Sequence, residues 1–270
     1  MKKLIDISFV QGRLSKPVGS KYQYFPIDSW ENEFHLAREI GFNGIEWIIS
    51  DISNPILNIN NLSIISKLSS VNNIKVTSIS LDILMYEPIF NQSWDDLKWF
   101  LDRVESATST LGIKRISIPI EENSGLSNAS QVEKAVINLK KVIKLLEDKI
   151  PRIAIETDMS PLNIFTMFQK KGLEKLGIVL DLGNAAANGY KIETYIKLLK
   201  NNIYAYHIKD RSKLFGLSCP LGQGDAEIHL ALSYINKLPN LSDITLQAYR
   251  TNNNYLKNAS DALEFVNKFL

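Results

Sequence analysis

Residues 152–184 read RIAIETDMSPLNIFTMFQKKGLEKLGIVLDLGN and hold one complete copy of the unit from which the chain is built. In RIAIET, Ile153 and Ile155 fall on one face and Ala154 and Glu156 on the other, the period of two expected of a strand. Ser160 followed by Pro161 supplies a helix cap and a first-turn proline, so LNIFTMFQKKG reads as a helix. GIVLDL then begins a second strand at Gly177. A strand, a helix and a strand within so few residues describe a parallel crossover unit.

The same alternation extends in both directions. Candidate strands begin near Leu4, Gly44, Lys75, Arg115, Arg152, Gly177, Ile203 and Asp243, eight in all. Asp28-Ser-Trp-Glu31 has the form of a capping box and opens a helix closing at Gly41, while Ser93 caps one closing at Gly112. Further helices are expected near Ser130, Lys191, Ala226 and Asn258, with a weaker one near Asn61. Eight strands each followed by a helix, in a chain close to the about 250 residues usual for the fold, predict a single (β/α)8 TIM barrel over 1–270. The alternative is an open doubly wound sheet, but no strand-turn-helix carries its glycine fingerprint; Gly222-Gln-Gly224 lacks the third glycine.

Composition narrows the function. A net charge of +2 argues against a polyanionic partner, so neither nucleic acid nor a membrane surface is expected. Cys219 is the single cysteine, which excludes an intrachain disulfide. The opening MKKLIDISFVQGR is interrupted by Asp6, Gln11 and Arg13 before any signal-like apolar core develops, and a cytoplasmic protein is expected.

The last four strands repeat one pattern: Ala154 then Glu156, Val179 then Asp181, Ala205 then His207, Thr245 then Gln247. Each pair is two residues apart, so a small residue is followed on the same face by a polar one near the carboxyl end, where barrels carry their chemistry. Singly, each polar residue has an ordinary explanation as a hydrogen-bonded core group. Four in register would each cost free energy if buried without partners. Glu, Asp and His with a fourth oxygen donor suit one divalent metal such as Mn, Co, Zn or Mg.

The segments IAIETD, IVLDLGN, AYHIKDR, PLGQGD and ITLQAYR, with FHLAREIGFNGIEWI earlier, resemble the xylose isomerase-like superfamily of sugar isomerases and epimerases. QGRLS with YQYFP further resembles a bacterial subgroup of sugar phosphate isomerase type. The resemblance implies a metal-dependent isomerase or epimerase acting on a small sugar or sugar phosphate through an enediol-type intermediate. Glu156, Asp181 and His207 match three of the family's metal ligands, with Glu156 also the base. Gln247 falls where the fourth ligand is usually glutamate. An amide does not titrate, so a second carboxylate base is missing there. That departure keeps open a dehydratase acting on a keto-sugar or cyclitol, and a catalytically impaired sugar-binding barrel. Endonuclease IV shares the superfamily, but its zinc site needs many histidines and this chain has three.

Substrate contacts are expected from Arg13, Asn184, Lys209, Arg211 and Tyr249, and a second acid/base group from Tyr249, Asp210 or Glu46. Each has a plainer alternative: a turn at Gly183-Asn184, an ion pair of Arg13 with Asp6, a pairing of Asp210 with Arg211. Trp47, Tyr86 and Trp94 are candidates to line a sugar pocket, although aromatic residues at such places are more often core. Relatives of this kind are often dimers or tetramers, so a homo-oligomer is possible by analogy.

Overall fold

The computed structural model describes residues 5–17, 23–213, 216–251 and 253–270. Eight parallel strands close into a barrel. They are β1 (Asp6–Val10), β2 (Gly44–Ile48), β3 (Lys75–Ser80), β4 (Arg115–Ile120), β5 (Arg152–Thr157), β6 (Leu176–Asp181), β7 (Ile203–Ile208) and β10 (Asp243–Leu246). A two-residue antiparallel ribbon, β8 (Asp210–Arg211) with β9 (Ser218–Cys219), stands between β7 and β10. Closure occurs where β1 pairs with both β2 and β10. The Leu4 start expected for the first strand lies outside the described residues; the other seven starts agree to within one residue.

The alternation read in the sequence sorts the side chains into two environments. Ile153, Ile155, Ile178 and Ile244 belong to the main core beneath the helices. Burial of each such side chain stabilises the fold by about 1.5–3 kcal/mol. Ala154, Val179 and Ala205 form a separate apolar patch. They lie one step below Glu156, Asp181 and His207 on the same strand faces, and their small size leaves room for the polar side chains above.

Register sets the height of the site. Asp181 is level with His207, and His207 with Thr245. Two irregularities interrupt the ladder, at Ile45/Glu46 against β3 and at Ile178/Val179 against β7. At the first, β2 opens on Gly44, where a Cβ would fall against Ser8 Oγ and Thr77 Cγ2.

The helix caps follow the sequence in most places. Ser93 Oγ accepts from Asp96 N, Ser160 caps Pro161–Phe168, and Gly41 and Gly112 adopt the left-handed conformation at φ 102 and 67. The capping box at Asp28–Glu31 is not formed. Residues 28–31 turn instead, Ser29 Oγ donates to Ser15 Oγ, and the helix begins one turn later at Asn32. The weak signal near Asn61 is a full helix, Ile59–Asn72, capped by the Asn58 side chain. Among the described residues no helix is long and apolar enough to cross a membrane.

Candidate active site

Glu156, Asp181 and His207 meet at the carboxyl ends of β5, β6 and β7, each offering one ligand atom within 4.8 Å of the others. All three are buried. His207 Nδ1 stands 2.9 Å from Glu156 Oε1. Asp181 caps the short helix Leu182–Ala187, its Oδ1 accepting from Asn184 N at 2.7 Å. Its other oxygen, Oδ2, is buried and accepts no hydrogen bond, although Lys209 Nζ lies 2.8 Å away as an ion pair. Two carboxylates and an imidazole brought this close fit the donor set of a borderline divalent cation, which would share Asp181 with Lys209.

Below this cluster runs a chain of charges. Glu46, on β2, places Oε1 at 2.7 Å from His207 Nε2, a close ion pair off the line of a hydrogen bond. Its Oε2 accepts from Arg115 Nη2 at 2.8 Å and from Ser78 Oγ at 2.8 Å. Arg115, fully buried, also grips Asp243 through Nη2 at 2.7 Å and Nε at 3.3 Å. Burial opposes ionisation of Glu46, but the His207 and Arg115 cations prevail and hold its carboxyl well below the usual range. Burial likewise opposes a charged His207, yet Glu156 and Glu46 raise it well above an ordinary histidine. Glu46 is therefore an ion-pair partner and is not poised as a spare acid/base group.

The predicted substrate residues separate in space. Asn184 lies in the first turn of a helix and not in the expected turn; its Nδ2 donates to Glu121 Oε2 and its Oδ1 accepts from Arg211 Nη1. Arg211 also donates from Nε to Gly216 O. Arg13 is buried and donates from Nη2 to Gln23 Oε1 at 3.2 Å, while Asp6 pairs with Lys75. Gln247 follows the end of β10, is 7% exposed, and donates from Nε2 to the same Gln23 oxygen at 3.3 Å. Tyr249 instead lines a groove between residues 220–223 and the C-terminal helix Tyr255–Asn267.

Asp210 is committed to the loop that follows β7. Its carboxylate accepts from the backbone N–H groups of Arg211, Gly222, Gly224 and Ala226. With four donors to satisfy, it is a structural anchor and not a second base. Trp47 is fully buried and donates to Asn54, so it belongs to the core, and Tyr86 is exposed.

Three residues in the mouth escaped the reading of the sequence. Asp82, beyond β3, accepts from Ser80 Oγ at 2.6 Å and from Gln23 Nε2 at 2.8 Å, and burial pushes it up to about 6. Glu121, beyond β4, is raised well above an ordinary carboxyl by burial and by the charge of Glu156. Gln23 belongs to the segment after β1, where no periodicity points to it. For the two acids a signal existed, since Ser80–Asp82 and Pro119–Glu121 repeat the two-residue step used on the last four strands.

The closed parallel barrel is similar in fold to solved structures that include xylose isomerase domain proteins. Among solved structures with that fold, the IolI protein with a bound zinc atom matches with a TM-score of 0.74 over 98% of this chain and 99% of its own, at 16% identity. D-psicose 3-epimerase from Clostridium cellulolyticum H10, with D-tagatose, matches at 0.71 over 98% and 99%, at 13% identity. The probable 3-DHS dehydratase AsbF from Bacillus anthracis matches at 0.70 over 97% and 99%, also at 13%. No family model and no curated protein matches the sequence. At these identities the likeness is one of fold.

Proposed function

We propose that this chain is a divalent-metal-dependent isomerase or epimerase of a small keto-sugar, with Glu156 as the base. The observation that carries the reading is the grouping of Glu156, Asp181 and His207 within 4.8 Å at the carboxyl ends of three adjacent strands. Those three residues, with the Gln247 amide oxygen as fourth donor, would hold the metal. A bound divalent cation polarises a substrate carbonyl and so acidifies the neighbouring C–H. Glu156 takes that proton and returns it to the adjacent carbon on the same face, and a second proton passes between the two substrate oxygens, which interconverts aldose and ketose. His207 would turn Nδ1 to the cation after giving up its proton, while Glu46 holds the ring through Nε2.

The cations at the mouth are already engaged. Arg211 is spent on Gly216 and Asn184, Lys209 on Asp181, and Arg13 on Gln23. That favours an uncharged sugar over a phosphorylated one. A dehydratase is the second reading, favoured by Glu121: burial and the charge of Glu156 favour the protonated form of this carboxyl, the form that can give a proton to a departing hydroxyl.

The test begins with metal content per chain, measured by elemental analysis on protein purified without chelator. About one metal per chain, lost in Asp181→Ala, is expected. Solvent deuterium uptake by a panel of unphosphorylated ketoses then separates proton transfer from elimination. A chain that carries no metal and takes none up on titration overturns the reading.

A further inference from the structure

Gln247 has so far been a weaker ligand standing where a carboxylate is usual. The groups around it give the amide a reason. Gln23 Oε1 accepts from Arg13 Nη2 at 3.2 Å, and Gln23 Nε2 donates to Asp82 Oδ2 at 2.8 Å. A guanidinium is donor-only and an ionised carboxylate acceptor-only, so both neighbours impose the same orientation on the Gln23 amide. Its oxygen must face Arg13 and its nitrogen must face Asp82. Gln247 approaches the oxygen end, at 3.3 Å, and can do so only with its own NH2. Its carbonyl oxygen is thereby turned away from Gln23.

We propose that Gln23, polarised by Arg13 and Asp82, is a positioning residue that fixes the amide of Gln247 with its oxygen toward the metal-binding cluster. The inference rests on the metal reading above. It makes position 247 matched to position 23: a glutamate at 247 would set a carboxylate against the Gln23 carbonyl, whereas an amide completes the chain. The network ties β10, the segment after β1 and the end of β3 together around the mouth. The other charged groups near Asp82 are Glu156 and Glu46, both acidic, so Gln23 and Ser80 supply the donors that hold it.

The experiment is a set of Mn2+ binding titrations at pH 7.5 on the intact chain, with melting temperatures recorded for every variant. Gln23→Leu alters no proposed ligand itself, yet it is expected to weaken Mn2+ binding about 10-fold or more, as loss of an outer partner does. Gln247→Leu should weaken it at least as much. Gln23→Glu alone should also weaken binding, because it sets two carboxylates face to face at 23 and 82. The deciding variant combines Gln23→Glu with Asp82→Asn. It exchanges the two groups, keeps the net charge, and again offers Gln247 an acceptor held by Arg13 and a donor from position 82. Recovery of Mn2+ affinity in the exchanged pair is expected, and packing alone would not produce it.

An exchanged pair no better than Gln23→Glu alone overturns the proposal. So does Gln23→Leu with wild-type affinity, or Gln247→Leu with none lost. If the wild-type chain binds Mn2+ and Asp181→Ala does not, those failures fall on this inference alone. If the wild-type chain binds no Mn2+, the metal reading falls with it.

Discussion

Glu46 Oε1 stands 2.7 Å from His207 Nε2, while the other nitrogen of the same ring stands 2.9 Å from Glu156. One imidazole therefore joins the candidate site to the buried Glu46–Arg115–Asp243 chain. Arg115→Met leaves Glu46 and Asp243 as buried carboxylates with no guanidinium between them, and a stability loss of about 3–5 kcal/mol is expected. Glu46→Gln, which leaves Arg115 still paired with Asp243, should cost about 3 kcal/mol. Urea unfolding measures both, and the double variant should lose less than the sum because the two residues share one network.

Glu33 supplies a pH dependence of known sign. Burial pushes its carboxyl up to about 7, although Gly12 N and Leu14 N donate to it. The folded chain thus retains a proton that the unfolded chain releases near the ordinary carboxylate value. The stability linked to Glu33 is full below about 4.5 and is lost as pH rises through about 7, at up to ~1.4 kcal/mol per pH unit. Denaturant midpoints for wild type and Glu33→Gln, compared from pH 4.5 to 7.5 in chelator, should diverge in slope across that window. Parallel curves would show that Glu33 does not titrate there.

Loading the site should stabilise the fold by mass action. At a free metal concentration near 100 times Kd, the gain is about 2.7 kcal/mol. Thermal or denaturant unfolding with and without Mn2+ reads it directly. Asp181→Ala should abolish the gain, and it should also lower the metal-free stability, because it removes the cap of Leu182–Ala187 and leaves buried Lys209 without its partner.

Asp210 holds its loop through four backbone donors, so Asp210→Ala leaves those N–H groups without their acceptor. Amide exchange at Gly222, Gly224 and Ala226 should accelerate by the equivalent of about 1–3 kcal/mol. Exchange in β5 and β6 should not change.

The barrel was legible because parallel strands buried on both faces leave Ile-rich runs, and because caps such as Ser93 and Ser160 are local events that a few residues settle. The capping box at Asp28–Glu31 failed for the converse reason, since Ser29 found a tertiary partner in Ser15 that no local rule supplies. Within the site, Glu156, Asp181 and His207 showed themselves by the two-residue step from a small residue. Asp82 and Glu121 carry the same step but sit two residues and one residue past their strands, where alternation stops being informative. Gln23 and the true surroundings of Tyr249 depend on how the segments after β1 and β10 fold back, which leaves no periodic trace. The bases proposed at Asp210 and Glu46 were visible as acids, but the partners that occupy them come from Gly222–Ala226 and from Arg115, distant in sequence.

The run Asp243–Arg115–Glu46–His207–Glu156 alternates in sign from the floor of the barrel to its mouth. Such a file behaves as one capacitor: charge placed on its upper plate is felt at its lower one. Neutralising Asp243, at the floor of the barrel, should therefore loosen the Arg115–Glu46–His207 pairing that reaches the rim. The interior that closes the barrel is also what holds the imidazole ring at its rim.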